Sequence, residues 1–308
     1  MADIVISEFM DEGALAAHLD GMAYRYDPAL VDRPDDLLAA IADARGLIVR
    51  NRTQVSAALL DAAPRLQIIG RLGVGLDNID LEACRSRDVV VQPATGANDQ
   101  AVAEYVIAAA MALLRGAFGA RDSVRGGEWP RNSLIGREIA GKSLGLVGYG
   151  AIARETAARA RALGMRIAAF DPYVPAGDPV WREAERHDTL DSLLAITDVL
   201  SLHVPLTAET ENLIDLQALA KLPPGALVIN AARGGVLDEV ALADALRRGH
   251  LGGAALDVYA AEPLTADAGA VFDGLDNILL TPHIAGVTAE SNLRVSHMIA
   301  QAVRDRLN

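Results

Sequence analysis

The sequence predicts an α/β chain in which parallel strands alternate with helices, and three observations carry the prediction. Through the first hundred residues, short apolar runs at 4–7, 46–49, 66–69 and 89–91 are separated by helical patterns at 35–44 and 55–62. Strands that alternate with helices pair in parallel and carry the helices on both faces of the sheet. The same alternation resumes beyond residue 143, and there an apolar strand runs straight into a glycine turn and a helix.

Taken in order, the opening Met-Ala-Asp-Ile-Val-Ile-Ser-Glu-Phe-Met-Asp-Glu has acidic flanks and lacks a charged n-region, so it reads as a strand rather than a signal peptide. After the fourth strand, Asn98 and Asp99 cap a long helix over 101–115. That helix is apolar on several faces, which predicts burial between domains or subunits. A polar stretch with Gly126, Gly127 and Pro130 follows. Further strands fit 198–203, 226–230, 253–256 and 278–281, with helices at 154–163, 190–195, 216–222 and 239–248 and a last helix at 290–307. Periodicity leaves open which domain that last helix joins. No repeat or low-complexity segment interrupts the pattern.

Composition narrows the function. At 308 residues with 51% apolar content, the chain can bury the cores of two ordinary domains. A net charge of −13 without a long basic run disfavours nucleic acid and anionic membranes as partners, and 4% aromatic residues disfavour a stacking platform. The single cysteine, Cys84, excludes an intrachain disulfide and a cysteine-based zinc site, and fits a reducing cytoplasm. No metal site is expected. No uninterrupted apolar run reaches the ~18 residues of a membrane span.

The strand–turn–helix at Leu144-Gly145-Leu146-Val147-Gly148-Tyr149-Gly150-Ala151-Ile152-Ala153 has the layout of a dinucleotide-binding unit. Gly148 permits the tight turn. Gly150 removes the Cβ that would hold the backbone away from a pyrophosphate, and the helix starting near Ala151 aims its unpaired N–H groups at the phosphates. Ala153 is small enough for the helix to pack on the strand. Asp171, 23 residues beyond Gly148, stands at the tip of the next strand, where a carboxylate holds the ribose hydroxyls and repels a 2′-phosphate. The cofactor so predicted is NAD rather than NADP.

Four more groups stand at predicted strand ends, where ligands collect in open α/β sheets. The loop Gly70-Arg71-Leu72-Gly73-Val74-Gly75 is either an anion-binding nest or an ordinary turn. Arg233, before two glycines, is either a two-pronged carboxylate clamp or a surface ion pair. Asp257 and Glu262 either polarise a histidine or are solvated loop charges. His283, between Pro282 and Gly286, is either a proton carrier near neutral pH or a structural histidine. Together, arginine, glutamate and histidine meet the needs of hydride transfer at a carbonyl.

These residues resemble the D-isomer-specific 2-hydroxyacid dehydrogenases. The resemblance runs through Gly73 to Asp80, Asn98 to Glu104, Gly141 to Gly145, His203-Val204-Pro205-Leu206-Thr207, the Arg233 segment, Asp257 to Pro263 and Thr281-Pro282-His283. It implies a Rossmann-type nucleotide-binding domain (101–283) inserted in a flavodoxin-like substrate-binding domain (1–100 and 284–308), with a cleft that closes on ligand. It implies catalysis by Arg233, Glu262 and His283. It implies cofactor contacts at Gly148, Gly150, Ala151, Ile152, Asp171, His203, Pro205, Thr210, Ala231, Arg233, Asp257, His283 and Gly286. Substrate contacts would come from Arg50, the N–H groups of Val74 and Gly75, Arg233 and His283. A homodimer built partly on the 101–115 helix is also implied. Related formate dehydrogenases place Gln where Glu262 stands.

The substrate is then a small 2-hydroxy acid or its 2-oxo acid. Arg50 and Arg52, two arginines close together in an acidic chain, suggest a second anionic group on it, as in 3-phosphoglycerate or sulfolactate; hydroxypyruvate and glyoxylate are the simpler candidates. A salt-bridged domain edge is the competing explanation. Ile6-Ser7-Glu8-Phe9-Met10-Asp11 with Arg50-Asn51-Arg52-Thr53 resembles sulfolactate dehydrogenases. An NAD(H)-sensing binding protein of the same fold, with little turnover, is the alternative function.

Overall fold

The computed structural model describes residues 2–308. The chain divides into two compact units: one extends to Asn98 and resumes over Val287–Asn308, and the other is Asp99–Gly286.

The first unit holds five parallel strands, β1 (Ile4–Ile6), β2 (Tyr24–Tyr26), β3 (Gly46–Val49), β4 (Ile68–Arg71) and β5 (Val90–Pro93), in the order β2-β1-β3-β4-β5. This is the flavodoxin-like order. Side chains alternate across the pleat. Val5, Leu47, Val49 and Ile69 meet helices α2 (Pro34–Ile41), α3 (Ala57–Asp61) and α4 (Leu81–Arg85) on one face. Ile4, Ile6, Ile48 and Ile68 meet α1 (Glu12–His18) and the C-terminal helix Ala289–Leu307 on the other. Gly46 and Gly70 make room for that last helix. A Cβ on Gly70 would stand 2.5 Å from Ile299, and one on Gly46 would stand 3.2 Å from Val303 and Leu307.

The sequence pattern does not announce α1, β2 or α4. Tyr24-Arg25-Tyr26 forms an edge strand with no apolar run to announce it. β4 begins two residues later than expected, because Leu66 caps the core before the strand while Gly70 and Arg71 continue it.

The second unit begins with α5 (Asp99–Arg115) and the short α6 (Arg121–Arg125). Its seven strands are β6 (Ser143–Val147), β7 (Arg166–Phe170), β8 (Glu185–Arg186), β9 (Val199–Leu202), β10 (Ala226–Asn230), β11 (Leu251–Leu256) and β12 (Ile278–Leu280). All are parallel, in the order β12-β11-β10-β9-β6-β7-β8. Between them lie α7 (Ala151–Ala162), α8 (Leu190–Leu194), α9 (Leu216–Lys221), α10 (Glu239–Arg247) and α11 (Ala266–Gly269), and α12 is the Ala289–Leu307 helix of the first unit. The strand order reverses direction at β6, between β7 and β9, which opens the crevice where such sheets take ligands.

Helix α5 lies on this sheet beside α7. Val106, Ala109, Ala110 and Leu114 share one core with Ala153, Ala157 and Ala160, small residues that let the two helices approach. The four residues from α5 use one apolar face of the helix inside its own unit. No single helix among the described residues is long and apolar enough to cross a membrane.

Candidate active site

The crevice of the second unit is built on the glycine turn. Gly148 has φ +86°, and a Cβ there would stand 2.6 Å from the His203 carbonyl at the end of β9, so the position excludes other residues. Gly150 caps α7 without a side-chain hydrogen bond, and its missing Cβ faces open space. The first N–H groups of Ala151 and Ile152 are thus available to an anion. Asp171 stands at the tip of β7. Its Oδ2 accepts the Tyr149 N–H at 2.9 Å and its Oδ1 accepts the Tyr173 N–H at 2.9 Å, which fixes the carboxylate beside the turn. A pyrophosphate cradle with an anchored carboxylate fits a dinucleotide lacking a 2′-phosphate.

On the β9 side, His203 accepts or donates through Nε2 to the Ser201 hydroxyl at 2.9 Å, and burial pushes its imidazole down to about 4. It is a neutral histidine. Thr210 donates its hydroxyl to the Pro205 carbonyl at 2.6 Å and accepts the Thr207 N–H at 2.8 Å, so it braces the 205–210 turn. Ala231 follows β10, and Gly286 closes the loop after β12.

Three strand ends of the same sheet carry the candidate reactive groups Arg233, Glu262 and His283. His283 Nδ1 lies 2.7 Å from Glu262 Oε2, and Glu262 Oε1 accepts the Tyr259 N–H at 3.1 Å. A carboxylate opposite Nδ1 keeps the proton on that nitrogen and leaves Nε2 to exchange protons. Burial pushes the Glu262 carboxyl up, but the His283 hydrogen bond and charge, the Tyr259 N–H and the Arg233 charge together hold it below its ordinary value. His283 occupies the left-handed region at φ +54°, which a non-glycine residue adopts only where its surroundings hold it. Asp257 does the holding. Its carbonyl accepts the His283 N–H at 2.8 Å, Oδ1 accepts the Ile284 N–H at 2.8 Å and the Thr281 hydroxyl at 2.6 Å, and Oδ2 accepts the Ala285 N–H at 2.7 Å. Asp257 is 1% exposed, so its carboxylate chiefly fixes the histidine loop and retains one free acceptor direction on Oδ2.

Arg233 follows β10 in a turn braced by the buried Asn230, whose side chain donates to the Arg233 carbonyl at 2.9 Å and accepts the Ala232 N–H at 3.1 Å. The Tyr259 hydroxyl is shared between the Leu256 and Thr281 carbonyls at 3.2 and 3.0 Å, and burial pushes it up to about 12. Tyr105 of α5 reaches the Thr281 hydroxyl at 2.7 Å. These bracing roles were not foreseen, because an Asn or Tyr in an apolar run gives no periodic signal.

In the first unit, Arg50 follows β3 and Val74 and Gly75 follow β4. The buried Glu8 organises this corner. Its Oε1 accepts the Arg50 and Thr53 N–H groups at 2.9 Å each, and its Oε2 accepts the Arg52 N–H at 3.2 Å. The two sequence segments that resemble sulfolactate dehydrogenases are therefore one hydrogen-bonded structure. The Arg50 guanidinium is half-buried, donates to Asn292 Oδ1 and weakly to the Leu72 carbonyl (3.5 Å), and lies 5.9 Å from the Phe9 ring centre. No carboxylate among the described residues forms an ion pair with it. Arg52, by contrast, pairs with Asp32 on the surface. The expectation of two arginines for one anion thus reduces to Arg50. Arg71, which sequence reading passed over, lays its guanidinium against Gly73, where a Cβ would stand 1.5 Å from it. Asn292, on α12 and far along the chain, was equally invisible.

A dinucleotide crevice whose neighbouring strand ends hold a carboxylate-backed histidine and an arginine defines a nicotinamide-dependent oxidoreductase. Residues 107–285 match the D-isomer specific 2-hydroxyacid dehydrogenase, NAD binding domain. The chain is 52% identical to the (S)-sulfolactate dehydrogenase of Chromohalobacter salexigens, over all of this chain and 99% of that one. It is 43% identical to the D-3-phosphoglycerate dehydrogenase of Mycobacterium leprae over 98% of this chain, although it spans just 56% of that longer protein. The crystal structure of D-lactate dehydrogenase from Aquifex aeolicus with NAD and lactic acid superposes with a TM-score of 0.85 at 26% identity, covering 99% and 95% of the two chains. The chain belongs to the D-isomer specific 2-hydroxyacid dehydrogenases. It is an NAD-dependent enzyme that interconverts a 2-hydroxy acid and its 2-oxo acid.

Proposed function

We propose that the substrate carries a second anionic group, and that the enzyme interconverts a three-carbon sulfonated 2-hydroxy acid of the sulfolactate type with its 2-oxo acid. The observation that carries this reading is Arg50, a half-buried guanidinium whose hydrogen-bond partners, Asn292 and the Leu72 carbonyl, are both neutral. Burial disfavours the charged guanidinium, the Glu8 carboxylate opposes this only in part and without pairing with it, and a bound anion offsets the rest of the cost. The name of the Chromohalobacter relative supports a sulfonate as that anion.

NADH, if held at the Gly148–Ile152 turn and Asp171, would supply the hydride for reduction at C2. His283, protonated at Nε2, gives its proton to the carbonyl oxygen, and Glu262 stabilises the protonated ring through Nδ1. Arg233 polarises the carbonyl and grips the carboxylate in two-pronged fashion. In oxidation His283 takes the proton back. The enzyme acts as a cytoplasmic homodimer without nucleic-acid or membrane partners. Phe118, Trp129 and Ile135, each at least 75% exposed beyond α5, supply apolar surface for the second subunit.

The test is NADH consumption against sulfopyruvate, phosphohydroxypyruvate, hydroxypyruvate and glyoxylate. Sulfopyruvate should have the highest kcat/KM. Arg50→Gln should lower that value about 100-fold, as loss of a charge-assisted hydrogen bond does, and leave glyoxylate reduction within a few-fold. Equal losses on both substrates would refute an anion site at Arg50.

A further inference from the structure

The two peptides on either side of Tyr259 join three parts of the second unit, and the Tyr259–Ala260 peptide carries two of the contacts. Gly234, directly after Arg233, lies flat against it, and a Cβ on Gly234 would stand 1.8 Å from the Tyr259 oxygen and 2.7 Å from the Ala260 nitrogen. The Tyr259 N–H donates to Glu262 Oε1 at 3.1 Å, on the same carboxylate whose other oxygen holds His283. The Ala260 N–H donates to Glu239 Oε1 at 2.7 Å.

Glu239 comes from outside this loop. It is the first residue of α10, a helix capped by the neighbouring Asp238. Its contact with Ala260 spans 21 residues of sequence and is the only hydrogen bond its side chain makes to the described residues. The site is electrostatically unfavourable for an acid. Burial and the charges of Asp238 and Glu262 push its carboxyl up, and only the Ala260 N–H pulls it back. The start of a helix tolerates a carboxylate, but that does not require this one to reach across to the loop.

We propose that Glu239 is a positioning residue for the reaction: by holding the Ala260 N–H it fixes the Tyr259–Ala260 peptide and, through Tyr259, the adjoining Val258–Tyr259 peptide, and so lets Glu262 grip the Tyr259 N–H and His283 Nδ1 at once. Ala260 is exposed, so without Glu239 its N–H turns to water and the peptide loses its side-chain acceptor, keeping only its packing on Gly234 and the anchor of the Tyr259 hydroxyl. The Tyr259 N–H then drifts from Glu262, and Glu262 from His283. The inference rests on Glu262 and His283 being the reacting pair.

The test compares Glu239→Ala and Glu239→Gln, each alone and combined with Glu262→Gln, using NADH and whichever of sulfopyruvate or glyoxylate the wild type reduces faster. Glu239→Ala should lower kcat about tenfold with KM for NADH within twofold, a split that marks a loss confined to the chemical step. Glu239→Gln should restore most of the rate, because the amide oxygen still accepts the Ala260 N–H. In the Glu262→Gln background Glu239→Ala should cost little more, because it acts through the group already altered. If Glu239→Ala fails to fold, Glu239→Met, which keeps the side-chain length without the acceptor, carries the same expectation. Wild-type kcat in the variant lacking the acceptor, no rescue by Gln, or an undiminished loss on top of Glu262→Gln would each overturn the proposal. Full activity of Glu262→Gln itself would instead overturn the reading of the reacting pair.

Discussion

Glu8 in the first unit and Glu262 in the second are both carboxylates beyond the ends of parallel strands, but their surroundings give them different work. Glu8 is buried and turns both oxygens to backbone N–H groups of the Arg50–Thr53 loop. Glu262 gives one oxygen to the backbone and the other to an imidazole. The first shapes the loop that presents a cation. The second, in the proposed reaction, backs the imidazole that carries the proton. Residue type at a strand end marks a place where function can be built, and the atoms opposite each oxygen decide whether the acid is a scaffold or a reactant.

The sharpest way to break this contrast is at the imidazole. His283→Ala should lower kcat by roughly 10²–10⁴-fold, the usual contribution of a positioned proton donor, while NADH binding measured by fluorescence stays near wild type. Near-normal turnover would place the proton transfer elsewhere. Glu8 should answer in a different currency. Glu8→Ala strands three backbone N–H groups, and it should cost about 3 kcal/mol of stability or more, read as a lower denaturation midpoint. Glu262→Gln, which keeps an acceptor for Tyr259, should leave that midpoint almost unchanged while lowering kcat. If Glu8→Ala were as stable as the wild type, or Glu262→Gln no slower, the division of labour would fail.

The smallest effect is expected at His203. Its imidazole is held down to about 4, so the unfolded chain binds the proton more readily below the ordinary histidine value of 6.5. Its contribution to stability is complete above pH 6.5 and is lost as pH falls toward 4. Between pH 6.5 and 5 this amounts to roughly 2 kcal/mol, and His203→Gln should flatten the stability profile over that window. An unchanged slope would mean that the histidine takes up its proton in the folded state.

Much of the second unit's site was legible because its groups are local in sequence. Gly148, Gly150 and Asp171 sit on one strand–turn–helix–strand, and their spacing follows from the length of one helix and one strand. Arg233, Glu262 and His283 each follow a strand, and parallel strands deliver such residues to one edge of the sheet. The scaffold around them was not legible. Asp257 as the clamp of the histidine loop, Asn230 as the brace of Arg233 and Tyr105 reaching from α5 are contacts between elements, and no period records them. The edge strand β2 escaped notice because it buries little.

By itself the sequence determined the alternation of strands and helices, the glycine turn that only glycine fits, and the residue types available at each strand end, because these follow from backbone sterics and the periods of helix and strand. Tertiary structure alone decided which charges are paired. It joined Arg52 to Asp32, left Arg50 with Asn292 from a helix more than two hundred residues away, and set Glu239 on the peptide next to the one that Glu262 uses. The reason is physical: a charge takes its role from its partner and its burial, and both are properties of the folded chain.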